Sequence, residues 1–165
     1  MALVNVNTRE AYSSYQYVIL KDGETFRFYI RSNADCYCYI IGKASDGEIL
    51  VIREGVLLAD VPYYSIEMFT SPPPGLELFQ VVVSLDEQKE LQFRIDELKA
   101  DRRSERKRLN LWNEGLRIRQ AISTLKENPA SPVLMGGASR SMAKRVKATR
   151  FSGLRTYVKS VIIRH

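Results

Sequence analysis

The chain has 165 residues and a mass of 18.9 kDa, which predicts one domain spanning residues 1–165. It is 45% apolar and 27% charged, near the soluble globular average, so it has enough apolar material for a packed core and is not wholly disordered. One histidine and two cysteines are too few for a zinc cluster, a disulfide scaffold or a histidine-based active site. Tyr15 to Leu20 is a short apolar run that stops at Lys21-Asp22-Gly23. Glu24 to Arg31 follows with Phe26, Phe28 and Ile30 on one face, the pattern of a half-buried antiparallel strand. Ser32-Asn33-Ala34-Asp35 is turn chemistry, and Cys36 to Lys43 is apolar on both faces, as a central strand is. Ser45-Asp46-Gly47 turns the chain into a further strand, Glu48 to Arg53. Both Asp-Gly pairs, 22–23 and 46–47, read as hairpin turns.

Gly55 to Tyr64 reads as a loop with short extended pieces, and Ser65 to Thr70 as another strand. Pro72-Pro73-Pro74-Gly75 lacks three successive amide donors and suits a stiff surface bridge rather than a central strand. Leu76 to Ser84, rich in Val and Phe, is the strongest buried strand. Six strands about ten residues apart, with turn signals between them, predict a sandwich or open barrel.

From Asp86 the period becomes helical. Leu91, Ile95 and Leu98, then Leu109, Trp112 and Leu116, fall at spacings of three and four, with Asp86 as a passable N-cap. Asp101 to Arg108 has no apolar residue. That favours a break or exposed turn over a solvated helix, with a second helix from about Leu109 to Glu127 presenting Trp112, Leu116, Ala121, Ile122 and Leu125. Asn128-Pro129 ends it. Residues 128–150 read as a basic loop with a short helix near Ser141 to Lys147. Leu154 to Arg164 is apolar enough to return to the sheet as a closing strand. The fold class is therefore mainly β with a helical insert (α+β): an antiparallel β-sandwich of about seven strands, with the helices between the penultimate and last strands. The strands of residues 15–84 and 154–164 frame an insert over residues 86–127. The whole connection to the closing strand, about 70 residues, is long enough to mark a functional insertion.

The formal net charge of +6 hides a division. Residues 1–85 carry 6 Lys or Arg against 10 Asp or Glu, a balance of −4, whereas residues 86–165 carry 19 against 9, a balance of +10. With a pI near 9.4, nucleic acid, anionic lipid and acidic protein are all admissible partners. Partner-binding candidates are Arg102, Arg103, Arg106, Lys107 and Arg108, joined by Arg140, Lys144, Arg145 and Lys147. Aromatic side chains that could stack on bases are concentrated in the acidic half, which weighs against nucleic acid.

No catalytic constellation emerges. Cys36 and Cys38 share one face of a strand and read as small buried hydrophobes, because a metal would need two further ligands. His165 is the sole histidine and sits at the extreme end of a strand. Asp35, Asp46 and Glu48 flank turns, where carboxylates are solvated. Gly136 to Ser141 matches neither the Walker A spacing nor the dinucleotide fingerprint and reads as a flexible linker. An enzymatic alternative would draw on Asp35, Tyr37 or the Gly136–Ser141 loop. Catalytic residues, metal and cofactor are all expected to be none.

Lys21 to Ser84 carries Asp22-Gly23-Glu24, Phe26-Arg27-Phe28 and Arg31-Ser32-Asn33, with Asp35, Tyr37 and Tyr39-Ile40-Ile41. Asp46-Gly47-Glu48 with Ile49 to Ile52, and Pro73-Pro74-Gly75-Leu76-Glu77 with Val81 to Ser84, follow in order. In this the chain resembles a bacterial domain family of unknown function, carried at the end of cell-envelope lipoproteins or attached to caspase-like peptidases and protein kinases. The resemblance implies a small antiparallel β-sandwich serving as an accessory or recognition module, with no catalytic residues to carry over. The chain departs by reading Ile52-Arg53-Glu54-Gly55 where that family has a Phe-Pro-Asn stretch, and by its long basic helical insert. The expected function is a non-catalytic protein-interaction or accessory module of a bacterial cell envelope, the sandwich as scaffold and the basic insert meeting a protein partner with an acidic surface. Nucleic-acid or anionic-ligand binding through the insert is the alternative. The N-terminus, Met-Ala-Leu-Val-Asn-Val-Asn, lacks the plan of a secretory signal. The expected location is the envelope or periplasm, as a mature chain whose leader has been removed, with the cytoplasm as alternative.

Overall fold

The computed structural model describes residues 1–13, 17–70, 72–122, 132–134, 145–147 and 155–165. In chain order its elements are β1 (Ala2–Asn5), β2 (Ala11–Ser13), β3 (Val18–Ile19), β4 (Thr25–Ile30), β5 (Cys36–Lys43), β6 (Ile49–Arg53), β7 (Val56–Leu57), β8 (Tyr63–Tyr64), β9 (Met68–Phe69) and β10 (Leu76–Ser84). Then come α1 (Lys89–Ala100), α2 (Glu105–Ala121), β11 (Pro132–Leu134), β12 (Arg145–Lys147) and β13 (Thr156–Arg164). Among the described residues eleven strands form two sheets, so the fold is mainly β, α+β and sandwich-like. One sheet runs β2-β1-β4-β8, with β9 also on β4; the other runs β3-β13-β10-β5-β6, with β7 also on β5. A separate ribbon pairs β11 with β12.

The period of two explains the sandwich interior. Phe26, Phe28 and Ile30 of β4 face Cys36, Cys38 and Ile40 of β5, Phe79 and Val81 of β10, and Val161 and Ile163 of β13. The rings of Phe26, Phe28 and Phe79 meet edge-on with centroids 5.3–6.5 Å apart, a geometry worth about 1 kcal/mol per pair beyond simple burial. The alternate residues of β5 and β10, including Tyr39, Ile41 and Val82, point the other way, onto Leu91, Ile95, Leu98, Leu111, Trp112 and Ile118 of the helices. The molecule thus has three layers: sheet, sheet and helix pair. This is why β5 and β10 are apolar on both faces.

The closing strand docks as expected: β13 pairs with β10 along all nine of its residues. The Asp46-Gly47 hairpin also forms. Gly47 takes φ +89°, its N–H reaches the Ala44 carbonyl at 2.9 Å, and Ala44 N–H reaches the Glu48 carbonyl at 2.8 Å.

Several expectations are corrected. The strand count rises from about seven to eleven because β1, β2, β7 and β8 are too short to show a period; β7 and β8 are the short extended pieces expected within 55–64, and of the run 65–70 only Met68–Phe69 is strand. There Ser65 Oγ accepts the Phe28 N–H at 2.9 Å, interrupting the ladder between β8 and β9. Asp22-Gly23 is no hairpin: it carries the chain from β3 in one sheet to β4 in the other, and β3 pairs with β13 in parallel. The N-cap of α1 is Gln88 rather than Asp86, whose carboxylate is held by the Arg155 guanidinium at 2.8 Å on both oxygens. Helix α2 starts at Glu105, four residues before Leu109, because Ser104 caps it by accepting the Lys107 N–H. Leu109 is 51% exposed; Trp112 is buried as expected, and Leu111 and Ile118 join it in the buried stripe. Residues 145–147 are strand, not helix. The expected helix end at 123–127, the loop residues 128–131, 135–144 and 148–150, and Leu154 at the start of the closing strand lie outside the described residues.

Candidate functional site

At the end of the second sheet, β6 has a strand neighbour on one side only among the described residues. Its far edge lies in a groove of about 700 Å³. The floor is Glu48 to Glu54. One wall is Leu98 and Lys99 from the end of α1, Arg102 from the interhelical turn and Arg108 from the first turns of α2. The opposite wall is Tyr63, Tyr64 and Ile66, contributed by β8 of the first sheet and the residues after it. The groove exists because the layers end together: β6 is the last strand of one sheet and β8 the last of the other, and the helical turn overhangs both.

Four cations and two acids line it. Glu48 accepts from Arg108 at 3.4 Å, and Glu54 is paired with Lys99. Arg53 donates to the Val56 carbonyl at 2.8 Å, and its guanidinium lies 4.8 Å from the centroid of the Tyr63 ring, a cation–π contact. The Arg53 Nε is buried without a hydrogen-bond partner among the described residues. Burial pushes the Tyr63 hydroxyl above its ordinary pKa, with Arg53 pulling it back in part. Arg102, Arg103 and Arg106 are exposed and have no ionic partner among the described residues. Apolar surface is interleaved with this charge: Leu50 is 47% and Ile66 66% exposed.

The sequence-derived candidates separate. Arg102 and Arg103 occupy the turn, and Arg106, Lys107 and Arg108 the start of α2. Lys107 is engaged with Asp101 at 3.6 Å. Arg145 and Lys147 lie on β12, which comes against β2. Since β2 and β8 terminate opposite ends of their sheet, β12 and the interhelical turn stand at opposite edges of the sandwich. Arg140 and Lys144 lie outside the described residues.

No family model, no curated protein and no solved structure matches the chain.

Among the described residues no helix is long and apolar enough to cross a membrane, and no three or more metal-ligating side chains converge. Cys36 and Cys38 are buried in the sandwich, and burial, reinforced by Cys36, pushes the Cys38 thiol up to about 12, far from a thiolate nucleophile at neutral pH. Asp35 accepts the Ala59 N–H at 2.7 Å, Tyr37 packs against the helix-side core, and the Gly136–Ser141 loop lies outside the described residues. His165, with its ring fully buried, is 3.0 Å from Asp22 and 3.6 Å from Glu77.

Sequence reasoning missed Arg53, Lys99, Tyr64 and Ile66 as groove residues. A signal was present. The stretch read as a loop contains Val56, Leu58, Val61, Tyr63 and Tyr64, more apolar surface than a solvated connection needs.

Proposed function

We propose that this chain is a non-catalytic interaction or accessory module of a bacterial cell envelope. The sandwich is the scaffold, and the basic interhelical turn with the groove beneath it meets an acidic protein partner. The observation that carries this reading is the charge balance at the β6 edge, where four cations, Arg102 among them, face two acids, and Arg102, Arg103 and Arg106 have no ionic partner among the described residues. Cations gathered at the N-terminal end of α2 oppose both one another and the helix dipole, so the arrangement costs stability in the free protein. An acidic partner would offset that cost on binding. The resemblance of Lys21 to Ser84 to the envelope-associated module supports the accessory role and the compartment. The separation of β12 from the turn weighs against a continuous phosphate track.

The test is fluorescence anisotropy with a labelled poly-glutamate peptide at low salt. Binding is expected, together with its loss in Arg102→Glu/Arg103→Glu/Arg106→Glu at unchanged circular dichroism. Absence of binding by the wild-type chain, or equal binding by the triple variant, refutes the reading. Tighter binding of a single-stranded oligonucleotide than of the peptide favours nucleic acid as the partner instead. Turnover of a substrate in a broad hydrolase screen, lost on a single substitution, overturns the non-catalytic assignment.

A further inference from the structure

We infer that the β6 edge takes its partner as an added β-strand: an extended segment of another protein that alternates acidic and apolar residues. This rests on the acidic-partner reading and specifies how that partner is held. The Ala44 N–H bond to the Glu48 carbonyl sets the phase of the ladder, and Gly42 stands opposite Leu50. By the alternation of antiparallel pairing, the amides of Ile49 and Val51 therefore point away from β5, along the open edge. Edge strands are normally blunted by lysine, proline, a β-bulge or a covering element. Ile49-Leu50-Val51 carries neither residue and pairs in regular register with β5, the register shift falling after it at Ile52, and no strand covers it among the described residues.

The composition of the added strand follows from the layers. Its side chains would alternate between the two faces of the sheet. On one face the helix layer presents Lys99, Arg102 and Arg108; on the other the first sheet presents Tyr64 and Ile66. Acidic residues suit the first set and apolar residues the second. A five-residue strand is about 17 Å long, and a groove of about 700 Å³ is of the size that takes a short peptide. Pairing with a second copy would bring the same cations against one another, which disfavours a β6–β6 dimer.

The test uses the whole chain and a peptide of alternating Glu and Val, unmodified and in two backbone N-methylated forms that each remove the amide donors along one edge. Strand addition predicts that one methylated form binds like the parent while the other loses about tenfold or more. It also predicts that amide exchange at Ile49 and Val51 slows on binding. Equal binding by all three peptides with unchanged exchange at those amides overturns strand addition and leaves the acidic-partner reading standing. Failure of both this peptide and poly-glutamate to bind removes that reading as well. Protection of Ile49 and Val51 before any peptide is added overturns the inference too, the edge then being filled by a second copy, if the chain sediments as a dimer, or by the chain itself, if it is a monomer.

Discussion

Gly115 shows how one missing side chain joins two layers. Gln80 is buried on the helix-facing side of β10, and its Nε2 donates to the Trp112 carbonyl at 3.4 Å. A Cβ on residue 115 would lie 2.0 Å from Gln80 Oε1. In an isolated helix alanine is better than glycine by about 1 kcal/mol. Gln80 is 1% exposed, so its amide has no solvent to swing into and the overlap outweighs propensity; Gly115→Ala should destabilise the protein by roughly 1–3 kcal/mol in urea unfolding. Adding Gln80→Ala should recover part of that loss, since the two positions share one contact; a purely additive double variant would contradict the account. A second residue-scale effect lies at Glu77, whose carboxyl is pushed above its ordinary 4.5 by burial, with His165 pulling it back in part. The folded chain then holds this proton more tightly than the unfolded chain. The stability it contributes is complete below the ordinary value and is lost as pH rises through the raised one. Glu77→Gln cannot titrate, so the stability of wild type relative to this variant should decline across that interval in urea midpoints; a constant difference would exclude the mechanism. Nothing in the sequence announces this contact, because Glu77 and His165 lie far apart in the chain.

At the scale of elements, period was a good guide where one strand or helix face is long, and a poor one at the ends. The faces of β4, β5, β10 and α1 were legible because burial imposes alternation or a 3–4 spacing over six residues or more. Helix α2 was misplaced by four residues because its first turn, Glu105 to Arg108, has no apolar residue, and hydrogen-bond chemistry sets the boundary there. Ser104→Ala removes the acceptor for the Lys107 N–H and should cost about 1 kcal/mol by chemical denaturation. A smaller change than a few tenths would mean the helix starts there for other reasons. Asp86 failed as an N-cap for a related reason. A short polar residue before a helix can cap it or pair elsewhere, and Arg155 on the far side of the insert takes it.

At the scale of the molecule, the charge division maps onto layers: the acidic half supplies most of the sandwich strands, while the basic half supplies the helix layer and the closing strand. The helices are not a loose appendage. Six of their side chains are buried on the second sheet, and the cations occupy the rim. Because Arg102, Arg103 and Arg106 are exposed, their attraction for an acidic probe is screened over about 10 Å at 0.1 M salt. The poly-glutamate anisotropy should therefore weaken markedly from about 50 to about 200 mM salt. Salt-independent binding would point to apolar docking on Leu50 and Ile66 instead.

The sequence by itself determined the mainly β character, the strands that are apolar on both faces, the helices between the last two long strands and the basic bias of the second half. Each of these depends on composition or on a period that neighbouring residues share. Only the tertiary structure decided that the clusters at 102–108 and on β12 stand at opposite edges, that Arg53 and Lys99 join the former, and that a strand edge and two walls of different chemistry meet beside it. Those facts depend on which strands end each sheet and on contacts between residues far apart in the chain, for which local periodicity carries no signal.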